Sequence, residues 1–145
     1  MEQAETTETT IEYPSLTTRV QSNAVDGVLL LICMFAFANV VGDNNSIPGW
    51  GKALIFVGLW LLYEPICTAY GATPGNYLMG IRVRDINDYT KKLSPGNAFV
   101  RSFVKASLGG WSFVSVHFNP RRRAIHDLAA KSIMLDVSEI RKLTA

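Results

Sequence analysis

"RVQSNAVDGVLLLICMFAF", residues 19–37, decides how this chain is read. Its second half is apolar enough for a membrane helix, yet the entrance carries Arg19 and, seven residues later, Asp26. A carboxylate entering hydrocarbon costs about 2.5–3.5 kcal/mol on insertion scales, so Asp26 needs a partner. A spacing of seven on a helix turns through roughly 700°, which puts Arg19 and Asp26 on one face. Asn23, one turn from each, completes a polar stripe. Arg19 sits about 10 Å below Asp26 at ~1.5 Å per residue, too far for a close pair, and the remaining candidates for Asp26 are basic.

Working outward, only Asn39 interrupts the run from Val28 to Val41, and no charged or amide residue falls between Ala53 and Tyr63. Each run is shorter than the ~20 residues that span a bilayer. The first reaches that length by taking in Asn23 and Asp26, the second by passing through Glu64 and Pro65 to Tyr70. The alternative is a buried helical pair in a soluble protein, but two all-round apolar segments are hard to bury in a 145-residue chain. The expectation is a mostly α membrane protein with two transmembrane helices, the first about Thr18–Val41 and the second following residue 52 to about Tyr70.

The Thr/Glu-rich stretch 1–17 lacks the hydrophobicity to fold and is expected to be a disordered acidic tail. No secretory cleavage pattern closes the first apolar run. Cys33 and Cys67 lie within the apolar segments and are expected to pack there, with no disulfide or metal role. "GDNNSIPGWGK" (42–52) reads as an external loop, with Trp50 and Tyr70 at interfacial positions. After the break at "GATPGN" (71–76), Ile81 and Val83 alternate with Arg82 and Arg84, the chain turns at Asn87–Asp88, and Lys91 resumes a strand. That pattern predicts a small cytoplasmic β-hairpin over 81–93.

The third segment, 98–118, carries Arg101 and Lys105 one turn apart and a break at Gly109–Gly110. Of the 14 Lys and Arg residues, all but Lys52 fall on one side if this segment lies in or dips into the inner interface. The positive-inside rule selects that arrangement, with both termini cytoplasmic. A late helix near "RRRAIHDLAAK", a strand at "SIMLDV" and a charged tail over 138–145 complete the chain.

Glu64 is a second acid at membrane depth, beside a proline that removes a backbone donor. Glu64 and Asp26 at one depth either bind a cation or proton, or Glu64 joins a structural ion-pair cluster with Arg101 or Lys105. Arg121, Arg122 and Arg123 form a basic block suited to anionic lipid headgroups. His126 and Asp127 are neighbours, but adjacent helical side chains diverge by ~100°, and no nucleophile, metal or phosphate-loop motif accompanies them. An enzyme, a cofactor and nucleic acid are not expected.

"RVQSNAVD", "GATPGNYLMGIRVRD", "LSPGNAFVRSFVK" and "RRRAIHDLAAKSIML" resemble, in order, the blocks of the RDD family of small integral membrane proteins. The resemblance covers about Thr18 to Val137, the expected membrane domain. It places the family's arginine and two aspartates on Arg19, Asp26 and Asp127. Asn76 and Lys131–Ser132 depart from the family's usual residues. The resemblance implies transport, with cation/proton exchange attributed to some members. It also leads to an expected answer for Asp26: the late basic block folds under the two helices and supplies an arginine to it, Arg122 being the choice, with Arg19 at the rim and Asp127 holding one or more of the arginines. Glu64, Asn23 and His126 are supporting candidates. Two spans do not easily enclose a pathway, so a homo-oligomer moving a small cation or other small solute is expected; the alternative is a membrane-anchored scaffold or accessory subunit.

Overall fold

Both apolar runs form long helices in the computed structural model, which describes residues 11–42 and 46–144. The elements are α1 (Leu16–Gly42), α2 (Gly49–Tyr70), α3 (Pro74–Leu78), β1 (Ile81–Asp85), α4 (Pro95–Leu108), a 3₁₀ helix (Gly109–Val116), α5 (Ile125–Ala129), β2 (Ser132–Asp136) and α6 (Val137–Thr144). Along α1 only Arg19 and Ser22 are buried, and along α2 only Pro65 and Thr68. The helices therefore bury residues only near the start of α1 and the end of α2, and their other ends project from the head as an antiparallel pair. Phe35, Val40, Leu54 and Trp50 stand well exposed along that projection.

Within the most apolar windows of α1 and α2 only 6% and 11% of residues are buried, so neither helix is enclosed by the rest of this chain. Both are long and apolar enough to cross a membrane, by length and composition. The expected tail over 1–17 falls partly outside the described residues; Glu12 is exposed, Pro14 is buried, and Leu16 and Thr17 already belong to α1.

The remaining elements form a small head, and its sheet corrects the expected hairpin. β1 pairs antiparallel with β2, from Ile81↔Asp136 to Asp85↔Ser132, about fifty residues away in sequence. Of the 81–93 hairpin only an isolated bridge, Arg84↔Lys92, is formed. Two physical reasons favour β2. The local return strand would set like charges opposite one another at Arg84 and Lys92. It also ends at once, because the Ser94 hydroxyl caps α4 by accepting from Asn97 N–H and Pro95 takes the first turn. "SIMLD" has no such break, and Ile133, Met134 and Leu135 are all buried. Ile81, Val83 and Met134 then close a core with Leu93 and Ala98, against which Ala69 and Met79 pack.

The break expected at Gly109–Gly110 is present. Gly109 takes φ +53° and ends α4, and the eight residues from Gly109 to Val116 wind as a 3₁₀ helix. The third segment is thus two short pieces packed against α2 and α5, not a third long helix. Most of the charged tail lies in α6, whose Lys142 pairs with the buried Glu139.

Candidate functional site

Asp26 does not face the late basic block. Its carboxylate accepts from the Thr73 hydroxyl, from the Gly75 backbone N–H at 2.7 Å and from the Tyr63 hydroxyl at 3.1 Å. Thr73 simultaneously accepts from Asn76 N–H and so caps α3, while Ser22 on α1 donates to the Asn76 side-chain carbonyl at 2.7 Å. The Thr-Pro-Gly-Asn turn is therefore clamped onto the Ser22/Asp26 face of α1. The approach is so close that a Cβ on Gly75 would overlap the Ser22 carbonyl oxygen and lie 2.8 Å from the Asp26 carboxyl carbon. Charged acceptors bind backbone and hydroxyl donors more strongly than neutral ones, about 1.5–3 kcal/mol per bond, so neutral donors suffice to hold this carboxylate. Arg122 is exposed and takes a left-handed φ of 47° in the loop before α5, with no bond to Asp26.

Asp127 is the hub in place of Asp26. It is fully buried, and its oxygens accept from Arg19 Nη1 at 2.9 Å and Arg101 Nε at 3.0 Å. The Ala124 N–H and the Ser132 hydroxyl complete its shell at 3.3 Å each. As the third residue of α5 reaching back to the N-cap backbone, it also fastens that short helix. Burial alone would raise the Asp127 pKa; Arg101, His126 and Arg19 together outweigh it and hold the carboxyl well below the usual range. Arg19 is not at a rim but 1% exposed, with Nε and Nη2 unpartnered. Of the arginine triplet, only Arg123 joins this hub, donating to the backbone oxygens of Ser132 and Asp127.

From Arg101 the network continues to Glu64. One Glu64 oxygen, Oε1, accepts from Arg101 Nη1 at 2.9 Å and from Lys105 Nζ at 2.7 Å. Lys105 also donates to Asn23 Oδ1 at 2.9 Å. The ion-pair alternative for Glu64 is thus realised with both candidate bases. A chain of charge runs Arg19–Asp127–Arg101–Glu64–Lys105 and ties α1, α2, α4 and α5 together. Its last members, with Asp26, Asn23 and Ser102, line a cavity of about 380 Å³ whose other walls are aromatic and aliphatic, Phe103 among them.

His126 packs edge-on to Phe113 with ring centroids 5.2 Å apart, its Nδ1 unpartnered and its Nε2 3.7 Å from Asp127. Burial pushes its pKa down from 6.5 to about 3, which Asp127 only partly opposes and Arg101 reinforces. In the folded state the ring is neutral, whereas the unfolded chain takes up a proton below pH 6.5. Stability is therefore expected to fall as pH drops from about 6.5 toward 3, by at most about 1.4 kcal/mol per pH unit from this residue. Thermal unfolding in detergent between pH 7 and 4 should show that slope, and His126→Asn should flatten it; an unchanged slope would assign the acid sensitivity elsewhere. Asp127 adds stability that is present above its ordinary pKa of 3.8 and is lost only at more acid pH.

The network thus joins Arg19 to Asp127 directly, while Asp26, on α1, is bonded to the turn between α2 and β1. Comparison with protein families matches residues 13–131 to the RDD family. The chain belongs to the RDD family. No curated protein and no solved structure matches it. The RDD match takes in Arg19, Asp26, Glu64, Lys105 and Asp127, so the clamp and the charge network both lie within the family region. The sequence singled out the Thr-Pro-Gly motif as a helix break and a mark of resemblance. Its role as the partner of Asp26 was missed, because neither Thr nor Gly announces itself as the counterpart of a carboxylate.

Proposed function

We propose that this RDD protein is an integral membrane protein that exchanges a small cation for protons, assembling as an oligomer because two helices do not enclose a pathway. The observation that carries this reading is Glu64, which shares one oxygen between Arg101 and Lys105 on the wall of a cavity that Asp26 also lines. Ionisable groups held at that depth are costly and are characteristic of ion and proton pathways. Burial lowers the Lys105 pKa, Glu64 partly restores it and Arg101 lowers it again, which eases release of a proton from that ammonium.

Orientation follows from charge. The head and the helix ends that meet it carry 13 of the 14 basic residues, and only Lys52 lies at the far end, where its ammonium donates to the Gly42 carbonyl. By the positive-inside rule the head and both termini lie on the cytoplasmic side of the cell membrane, with exposed Arg121 and Arg122 meeting anionic headgroups. A scaffold or accessory role is the second reading. It is favoured by Asp26, whose oxygens are taken up by the clamp.

Proteoliposomes test the choice. With a pH gradient imposed, the protein should carry Na⁺, K⁺ or Li⁺ above the rate of empty vesicles and dissipate the gradient as it does so. Flux equal to empty vesicles for all three ions would leave the scaffold reading in its place.

A further inference from the structure

Lys105 is held as a bound cation would be. Its ammonium lies 2.7 Å from Glu64 Oε1 and 2.9 Å from Asn23 Oδ1, one oxygen from each of the two long helices. Ser102, three residues earlier on α4, lines the same cavity, and its hydroxyl is buried without a hydrogen-bond partner. The residue itself is only 9% exposed. The carboxylate and amide carbonyl that hold this positive charge, with an idle hydroxyl on the wall of the same cavity, are the hard oxygen donors an alkali cation takes. A buried hydroxyl with nothing to bond is otherwise an unexplained cost.

We propose that Lys105 is a tethered competitor for the exchanged cation, its ammonium occupying an alkali-ion site formed by Glu64, Asn23 and Ser102. This rests on the exchange reading above and supplies its coupling. The step is a substitution: Lys–NH₃⁺ plus M⁺ gives Lys–NH₂, bound M⁺ and one released proton. No covalent bond other than N–H breaks, and the buried charge of the site is the same on both sides.

That conservation is what makes the two occupants exclusive. The groups facing Lys105 are Glu64 on α2, Asn23 and Asp26 on α1, Arg101 on its own helix and His126 on α5. Arg101 is a permanent cation already sharing Glu64 Oε1, and the Asp26 oxygens are engaged by the turn. The site thus balances one further positive charge, which is either the ammonium or the metal ion. A second would stand unpaired in a low-dielectric site. Asp26 contributes its field without serving as a ligand.

Thermal unfolding of the full-length protein in detergent, with KCl, NaCl or LiCl against N-methylglucamine chloride, reads occupancy through ligand stabilisation. The wild type should be stabilised by alkali ions more strongly at pH 9.5 than at pH 6, its apparent affinity rising about tenfold per pH unit while one proton exchanges for one cation. A pH dye in weakly buffered solution should register proton release when the salt is added. Lys105→Met should show full alkali stabilisation at pH 6 and release no proton. Lys105→Arg, whose charge cannot be removed, should show neither at any pH, and it tests the idea even if Lys105→Met does not fold. Ser102→Ala should weaken the ion effect in the wild-type background. A Lys105→Arg variant that retains the alkali response, or a wild type with no alkali response at either pH, overturns the proposal. The exchange reading fails separately: proton-for-cation binding without flux in proteoliposomes would keep the site and remove transport. Flux with an unaltered pH profile in Lys105→Arg would keep transport and remove Lys105 from it.

Discussion

Gly75→Ala is expected to detach the turn before β1 from α1, at a cost of about 3–5 kcal/mol from steric overlap and lost charge-assisted hydrogen bonds. The added methyl meets the Ser22 backbone carbonyl, which cannot swing aside, and the Asp26 carboxylate, which three hydrogen bonds hold in place. Backing away breaks the Gly75 N–H bond to Asp26 and pulls Thr73 and Asn76 from their partners. The strand that follows then loses its anchor. Gly96→Ala is the internal control, since a Cβ there meets nothing within 4 Å, and it should be neutral or slightly stabilising. Unfolding temperature in detergent for the two variants should differ sharply; equal values would mean that the turn does not depend on its contact with α1.

The second large effect belongs to Asp127. Asp127→Asn retains the side chain's shape but leaves Arg19 and Arg101, 1% and 2% exposed, with no carboxylate between them. Breaking a buried pair by removing one partner typically costs about 3–5 kcal/mol, and here one carboxylate serves two guanidiniums. Arg19→Met should also destabilise, yet the Arg19→Met/Asp127→Asn double variant should be less unstable than the sum, because the two residues share one interaction. Additive losses in that cycle would refute the direct coupling. Asp88→Asn, which disturbs only the exposed pair with Lys91 and the local turn, should have little effect.

How much of this was legible in the sequence depends on the kind of signal each residue carries. The long helices were, because uninterrupted apolar runs have one common explanation at that length. So was the break at Gly109–Gly110, which follows from backbone freedom, while charge at depth offered Arg101 or Lys105 to Glu64 as one of two alternatives, the other being a cation or proton site. The β1–β2 pairing was not. Strand propensity shows in both "IRVRD" and "SIMLD", but register is chosen by tertiary packing, and the nearer partner at Lys91–Leu93 was the simpler reading. The error over Asp26 has a different origin. Charge counting sends a carboxylate to a base, whereas here two hydroxyls and one amide N–H satisfy it, and the arginines converge on Asp127. Arg19 and Asp127, 108 residues apart, were both singled out, yet nothing in the linear spacing joined them.

On the proposed exchange reading the two acids of the cavity do different work: Asp26 holds the turn before β1, and Glu64 would handle the ion. Proton-driven cation flux, measured on Asp26→Asn and Glu64→Gln proteoliposomes and normalised to folded, inserted protein, tests that division most directly. Glu64→Gln should insert and fold, because Arg101 keeps Asp127 as a partner, and its flux should fall to that of empty vesicles. Asp26→Asn should yield far less folded protein, with the remainder still carrying cation. A Glu64→Gln protein that exchanges cations for protons at the wild-type rate would contradict the account.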